Sequence, residues 1–176
     1  APTDNDRKLK ADWYAAHYDH AATNAYHTEY TVTASGVTLH THVGIAAICV
    51  QKFLDLDVTW TVANNGSVDL ALHAQRNTVF PELPRFGLRL FLPQEMSQVN
   101  YYGMGPMECY CDKHHAASHN SYTATVWQLH EDYIRPQENG SHYGTEFMEI
   151  TDGKTTLRAE GNFSFSALPY SAATLT

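Results

Sequence analysis

The sequence is poor in charge and in cysteine. Charged residues make up 17% of the 176 positions, and the eleven lysines and arginines form no basic run against a formal net charge of −8. That balance argues against a nucleic-acid partner, since such proteins cluster their positive charge. The three cysteines, Cys49, Cys109 and Cys111, cannot form a closed set of disulfides. We therefore expect three unbridged thiols and a reducing, cytoplasmic compartment.

Long apolar runs are also missing. No stretch reaches the roughly 18 apolar residues of a membrane-spanning helix. The first ten residues, APTDNDRKLK, lack the apolar segment of a secretory signal peptide. We expect no membrane partner and, from the length and the 43% hydrophobic composition, one domain over residues 1–176.

Period-two alternation is abundant. In residues 54–62 apolar side chains alternate with aspartates and threonines, which predicts a half-buried strand. The turn signal Asn64-Asn65-Gly66 then leads into the alternating residues 68–72, so the pair predicts a hairpin. A second hairpin is expected at Asp152-Gly153. The same pattern predicts strands at 37–43, 86–92 (between Pro84 and Pro93), 98–102, 146–150, 155–160 and 162–166.

Helical signals are few. Residues 8–18 suit one short helix, and Ser171 suits the cap of another. Many short strands with turn signals about ten residues apart are typical of an all-β fold, an antiparallel β-sandwich.

One stretch is rich in metal-ligand types. Residues 101–118 read YYGMGPMECYCDKHHAAS and contain Cys109, Cys111, His114 and His115. Cys-x-Cys is tighter than the usual Cys-x₂₋₄-Cys of structural zinc sites, and adjacent histidines point in different directions. We predict no metal site there.

A second pair of histidines shares one strand face. His40 and His42 lie two residues apart, on the face opposite the apolar side chains of the strand. The pair suits a metal ion geometrically, but a solvated polar face is the simpler interpretation.

Residues 101–118, the stretch rich in metal-ligand types, also resemble a signature of the family 2 β-galactosidases. Their C-terminal domain carries Gly-x-Gly-Pro-x-Glu-x-Tyr-x-Asp-Arg, which residues 103–112 match up to the final arginine. Four more segments resemble that domain in the same order: APTDNDR at 1–7, LPRFGL at 83–88, RPQENG at 135–140, and FSFS at 163–166 with Tyr170-Ser171. To a structural role we assign Gly103, Gly105, Pro106, Glu108, Tyr110, Asp112, Arg135, Pro136 and Glu138.

The departures from the signature lie at three positions. Cys109 and Cys111 stand where the family commonly has Asn and Pro or another small residue, and Lys113 stands where it usually has Arg. The cysteines are therefore interpreted as variation on a structural turn. We expect Glu108 and Asp112 to accept hydrogen bonds from turn amides, from Lys113 or from Arg135.

The resemblance implies a fold and a role. The family domain is a galactose mutarotase-like supersandwich that packs on a catalytic TIM barrel, and this chain is shorter than that domain. The two catalytic glutamates, about 5–5.5 Å apart in a retaining glycosidase, belong to the barrel, and the Mg and Na ions that the family commonly uses bind at sites outside this chain. The chain alone is expected to hold no catalytic residue or cofactor, to be inactive on β-galactosides such as lactose, and to self-associate through strands left unpaired.

The opening segment is the one candidate for substrate contact. In the family, the chain just after Asp-Asn-Asp forms a loop near the mouth of the active site. Asp4, Asn5 and Asp6 match those residues and are candidates for the rim, but the following loop is shorter here. A polar turn at a domain edge is the alternative.

Two other functions remain open. A stand-alone mutarotase-like enzyme would need a histidine acid and a glutamate base, for which His73, His130, Glu108 and Glu138 are available. A free carbohydrate-binding module would use exposed tyrosines, of which the chain has eleven in all.

Overall fold

The structure, a computed structural model, describes residues 6–171 and 174, and its regular secondary structure is almost entirely β. The helical elements are α1 (Arg7–Ala15) and a 3-10 turn (Tyr18–His20). The strands are β1 (Ala22–Thr33), β2 (Gly36–Ala46), β3 (Leu54–Ala63), β4 (Val68–Arg76), β5 (Gln98–Gly105), β6 (Ser118–Thr125), β7 (His142–Thr151) and β8 (Thr156–Phe165). None of the described helices is long and apolar enough to cross a membrane.

The strands form two antiparallel sheets of four, which confirms the all-β class and is consistent with a β-sandwich. The chain divides into two compact units, Pro2–Gly87 and Leu88–Thr176. The first unit contains the sheet β1-β2-β3-β4 and the second contains the sheet β6-β5-β7-β8. The single domain over 1–176 stays a prediction.

The first sheet is a meander of β1 to β4, and its last hairpin, β3–β4, was predicted. β3 pairs with β4 from Val62↔Val68 to Leu54↔Arg76. The turn between them places Gly66 at φ 89°, a value that glycine adopts without strain. The hairpin is confirmed, and so is the strand predicted at 37–43, which forms part of β2.

The core of the first unit lies at one end of this sheet. Phe53, Leu54 and Leu56 are buried there, and the ring of Tyr18 packs edge-on against Phe53 at 4.7 Å between centroids. The Tyr18 hydroxyl donates to the carbonyl of Pro81 at 2.6 Å. The segment after α1 is thereby tied to the chain that follows β4.

The second sheet encloses a larger core. It is built from buried residues of β5 and β7 together with residues of the flanking loops: Met96, Val99, Tyr101, Leu129, Met148, Ile150 and Ala167. The hairpin predicted at Asp152-Gly153 is present, and the Asp152 carboxylate accepts hydrogen bonds from the amides of Lys154 (2.8 Å) and Thr155 (2.7 Å). The strands predicted at 155–160 and 162–166 are one continuous strand, β8.

The strand predicted at 86–92 is wrong. That segment forms no strand and pairs with no strand of the described chain, and Leu88 and Leu90 are 62% and 60% exposed. Alternation reveals a strand's two faces but not whether a neighbour is present to accept its backbone hydrogen bonds.

The remaining elements differ in how far the sequence predicts them. Strands β1 and β6 were not predicted, because their sequences are largely polar and β1 is exposed throughout. The helix predicted at 8–18 is α1. The amide of Thr174 donates to Ser171 Oγ at 3.2 Å, as expected of a cap, while residues 172 and 173 lie outside the described ones.

Replacing Ile150 with Ala should cost about 2–5 kcal/mol of unfolding free energy, because a buried side chain leaves a cavity. Leu88→Ala is the matched control and should change it by less than about 0.5 kcal/mol, since the side chain is exposed. Urea unfolding followed by circular dichroism measures both. A comparable loss in the two variants would show that residues 86–92 are packed in solution.

Candidate functional site

The signature residues form a tight turn where β5 ends. A Cβ on Gly103 would lie 2.8 Å from Thr145 Cα, and one on Gly105 would lie 2.3 Å from the Tyr101 hydroxyl. The peptide bond between Gly105 and Pro106 is cis. The two glycines are therefore required by close packing of this strand end against its neighbours.

The carboxylate of Glu108 is buried and has four hydrogen-bond donors. Its Oε1 accepts from Lys113 Nζ at 3.2 Å and from the Tyr133 hydroxyl. Its Oε2 accepts from the Gly140 amide at 2.8 Å and from the Tyr110 hydroxyl at 3.3 Å. The sequence-predicted role of Glu108, an acceptor for Lys113 and a turn amide, is what the structure shows.

Tyr110 links Glu108 to a second carboxylate. Its hydroxyl lies 3.2 Å from Glu138 Oε2 and 3.3 Å from Glu108 Oε2. Burial, reinforced by the two negative charges, holds the pKa of the Tyr110 hydroxyl well above its usual value. The phenol thus stays protonated, and its single O–H proton is shared between the two carboxylates.

The loop that supplies Gly140 is held by its own side chains. Asn139 is buried, accepts from the amide of Glu131 at 3.1 Å and donates to the carbonyl of Gln137 at 3.0 Å. Gly140 has φ 66°, and a Cβ there would lie 2.5 Å from the carbonyl oxygen of Leu129. The Asn-Gly pair of RPQENG therefore shapes the backbone so that one amide points at Glu108.

Two opposing effects set the pKa of Glu108. Burial raises it, but the hydrogen bonds from Tyr133, the Gly140 amide and Lys113 outweigh burial and leave the pKa below its ordinary value. The carboxylate is consequently ionised at neutral pH. With its oxygens occupied by donors from within the chain, it serves as a structural acceptor.

Cys109, next to Glu108 in the chain, is buried and bonds to the backbone. Its amide donates to the carbonyl of Ser141 at 2.7 Å, and its thiol donates to the carbonyl of Met104 at 3.4 Å. Burial raises the pKa of this thiol. All three cysteines are free, with Cys49 and Cys111 exposed.

The metal-like residues of the stretch are not gathered around a common point. The rings of His114 and His115 stack on each other at 4.8 Å, and Cys111 lies at an exposed turn. Among residues 6–171 and 174, no three His, Cys, Asp or Glu side chains are placed to hold a metal ion. A chain without a metal site stays a prediction.

The other site residues predicted from the sequence lie in different places. Asp112 lies at the exposed tip of the turn closed by Tyr110 and Lys113, and its carboxylate has no hydrogen bond within the described chain, so the acceptor role expected of it is wrong. Arg135 and Pro136 are exposed. Asp4 and Asn5 lie outside the described residues, and Asp6 directly precedes α1.

Some residues of the site were missed from the sequence. Tyr133 had no motif to mark it, although it stands two positions before RPQENG. His142 is buried, its Nδ1 lies 3.3 Å from the carbonyl of Met104, and burial lowers its pKa. Its Nε2 and the buried Tyr101 hydroxyl have no hydrogen-bond partner among the described residues.

The residues considered for a mutarotase-like enzyme form no acid–base pair that the contacts support. Glu108 and Glu138 share the Tyr110 hydroxyl. His130 lies 3.3 Å from Asp132 and against the ring of Tyr170. His73 lies in β4 of the first unit.

The described residues form two antiparallel sheets, as in an all-β domain. The Glu108 carboxylate accepts hydrogen bonds only from groups of its own chain, so the signature residues stabilise a turn. The family model described as "Beta galactosidase small chain" matches residues 1–176. The chain belongs to this family, and its signature resemblance is confirmed.

Two curated relatives match the whole length of this chain, and a third matches part of it. It is 40% identical over 176 residues to a β-galactosidase of Actinobacillus pleuropneumoniae and 38% identical over 178 residues to one of Staphylococcus xylosus. It is 37% identical over 123 residues to a β-galactosidase of Vibrio cholerae, a match to 69% of the chain. The first two matches cover all of this chain but only 17% and 18% of those proteins, so the chain corresponds to a small part of them.

Glu108→Gln should destabilise the chain at neutral pH by about 1–3 kcal/mol, because an amide cannot accept all four hydrogen bonds. Since the pKa of Glu108 is lowered on folding, its stabilisation is present above the unfolded-state pKa, about 4.3, and is lost as the pH falls through the folded value. The variant should lose less stability than the wild type in that acidic range, as measured by urea unfolding.

The matched control for this variant is Asp112→Asn, which removes an exposed carboxylate of the same turn. Its unfolding free energy should stay within about 0.5 kcal/mol of the wild type. Equal pH dependence in the wild type and in Glu108→Gln would contradict the assignment.

Proposed function

We propose that this chain is a non-catalytic domain of a β-galactosidase that hydrolyses terminal β-D-galactosides such as lactose. The observation that carries the proposal is the state of Glu108. Its carboxylate oxygens accept hydrogen bonds from Lys113, Tyr133, Tyr110 and the Gly140 amide. Such a carboxylate is neither a free proton donor nor a free nucleophile, both of which glycoside hydrolysis requires.

The partner of the chain is the catalytic TIM-barrel portion of the parent enzyme. This is supported by the small share of each relative that the chain covers, 17% and 18% in the first two. The chain supports the rim of the active site and packing between domains or subunits, and reaches the β-galactoside only through the parent. It holds no cofactor of its own, and its two exposed free thiols, Cys49 and Cys111, support a cytoplasmic location.

The loop held by Glu108 suits contact with that partner. Ile134 is fully exposed, next to Tyr133, whose hydroxyl Glu108 binds. A large apolar side chain exposed on a loop is typical of a protein–protein contact surface. Glu108 would then contribute to function by presenting Ile134, without touching a substrate.

The purified chain alone should not hydrolyse a nitrophenyl β-galactoside, and adding the remainder of the parent enzyme should produce turnover. Positioning by the barrel supplies about 7–11 kcal/mol of barrier reduction that this chain lacks. Ile134→Asp should reduce the turnover of the mixture by weakening association, while Ile48→Asp, an exposed position of the other unit, should leave it unchanged. Turnover by the chain alone that is abolished by Glu108→Gln or Glu138→Gln would overturn the proposal.

We also propose that the isolated chain self-associates. Support comes from Leu88, Leu90 and Phe91, which are exposed apolar side chains in a segment that pairs with no strand of the described chain. Sedimentation velocity at tens of micromolar should show dimers or larger species, and Leu90→Lys should shift them toward monomer. A clean monomer of the unmodified chain at that concentration would contradict this.

A further inference from the structure

The polar face of the first sheet carries an aromatic side chain that a bulge has reoriented. The register of β1 against β2 shifts between Ala25 and His27, so that Tyr26 is the extra residue opposite His42. The Tyr26 ring lies 5.9 Å from the His42 ring, on the face of the sheet that bears His42. Bulges often redirect one side chain in this way next to functional sites.

A glycine and a lysine fix this ring in place. A Cβ on Gly44 would lie 2.7 Å from Tyr26 Cε2 and 2.7 Å from Lys52 Cδ, so a larger residue there would displace at least one of these two side chains. Lys52 Nζ lies 5.0 Å from the centre of the Tyr26 ring, a cation–π distance. With 56% of Tyr26 exposed, the ring forms an accessible platform beside the strand.

Polar side chains continue from this platform across the sheet. Asp55 pairs with Gly44 on one side and with Gln75 on the other, so these positions lie in a row across β2, β3 and β4. With strands about 4.8 Å apart, the row is long enough for one or two sugar rings. An open depression of about 530 Å³ follows it and is lined by Gln51, Lys52, Asp55, Gln75, Arg76 and Asn77.

The cations of the depression are already neutralised. Lys52 Nζ lies 2.5 Å from Asp55 Oδ1, and Arg76 donates to Glu82 Oε1 at 2.6 Å and to the carbonyl of Phe80 at 2.7 Å. The amides of Gln51 and Gln75, both exposed, offer donors and acceptors without charge. An anion would have to displace existing ion pairs, whereas a neutral polyol would not.

We propose that this surface binds a neutral saccharide. The apolar C–H face of one pyranose ring stacks on Tyr26, and the hydroxyls donate to the Asp55 carboxylate and exchange hydrogen bonds with Gln75. An aromatic platform beside a few polar groups is the usual composition of small-ligand sites. The proposal goes beyond the structural role above, which uses none of these residues.

The test is a titration of the ¹⁵N-labelled full chain with lactose up to about 50 mM, a range suited to the millimolar affinity of a shallow site. Amide shifts should concentrate at residues 24–27, 43–45, 52–55 and 74–77. Lactobionate, an anionic analogue of lactose, should bind no more tightly. Binding that strengthens with the anion would show that charge dominates and would overturn the proposal.

Variants identify the platform. Tyr26→Ala should weaken binding about fivefold or more, and Tyr26→Phe should retain it because the ring remains. Tyr30→Ala is the matched control, an exposed tyrosine of the same strand that pairs with Leu39 on the opposite face, and should bind as the wild type does. The spectrum of each variant reports whether it is folded.

Three further results would overturn the proposal: no shifts at the highest lactose concentration, shifts that map to β5–β8, or unchanged affinity in Tyr26→Ala. None of them bears on turnover by the mixture of this chain with the rest of the parent enzyme. Failure here is therefore distinguishable from failure of the proposed function.

Discussion

The hydrogen bonds of Glu108 join two stretches of chain that are distant in sequence. One is the turn 105–113 after β5, and the other is the loop 133–140 before β7, which supplies a tyrosine hydroxyl and a backbone amide to the same carboxylate. A buried charge is tolerated only when its lone pairs are satisfied, so each donor depends on the others being in place. Gly105, Tyr110, Asn139 and Gly140 can then be understood as residues selected to bring donors to that carboxylate.

The same region tolerates polar atoms that are not satisfied. His142 Nε2 and the Tyr101 hydroxyl are buried without partners in the described part of the chain, and the two rings lie 4.7 Å apart. Each such atom costs free energy that the surrounding apolar packing must offset. Burial keeps His142 neutral by lowering its pKa, so it adds no uncompensated charge to this core.

Sequence reasoning predicted the fold well wherever a single strand carried its own signal. The alternation in 54–62 and the Asn-Asn-Gly turn were enough to define the β3–β4 hairpin. It missed β1 and β6, whose polar sequences form strands because neighbouring strands accept and donate their backbone hydrogen bonds. It also predicted a strand at 86–92, where the alternating pattern is present but no neighbouring strand exists in the described chain. At the site, motif matching found Glu108 but could not predict Tyr133, because only the folded loop brings that hydroxyl to the carboxylate. It also assigned to Asp112 a hydrogen bond that does not form in the turn closed by Tyr110 and Lys113.

The prolines that bracket residues 85–92 have a consequence for the chain's behaviour before assembly. Pro84 and Pro93 have no amide proton, so neither can extend a ladder of backbone hydrogen bonds to another molecule. They flank the exposed apolar side chains of this segment and confine any pairing with another molecule to the few residues between them. Any pairing of this segment with another chain is thereby limited to a short ladder, which disfavours growth into fibrils.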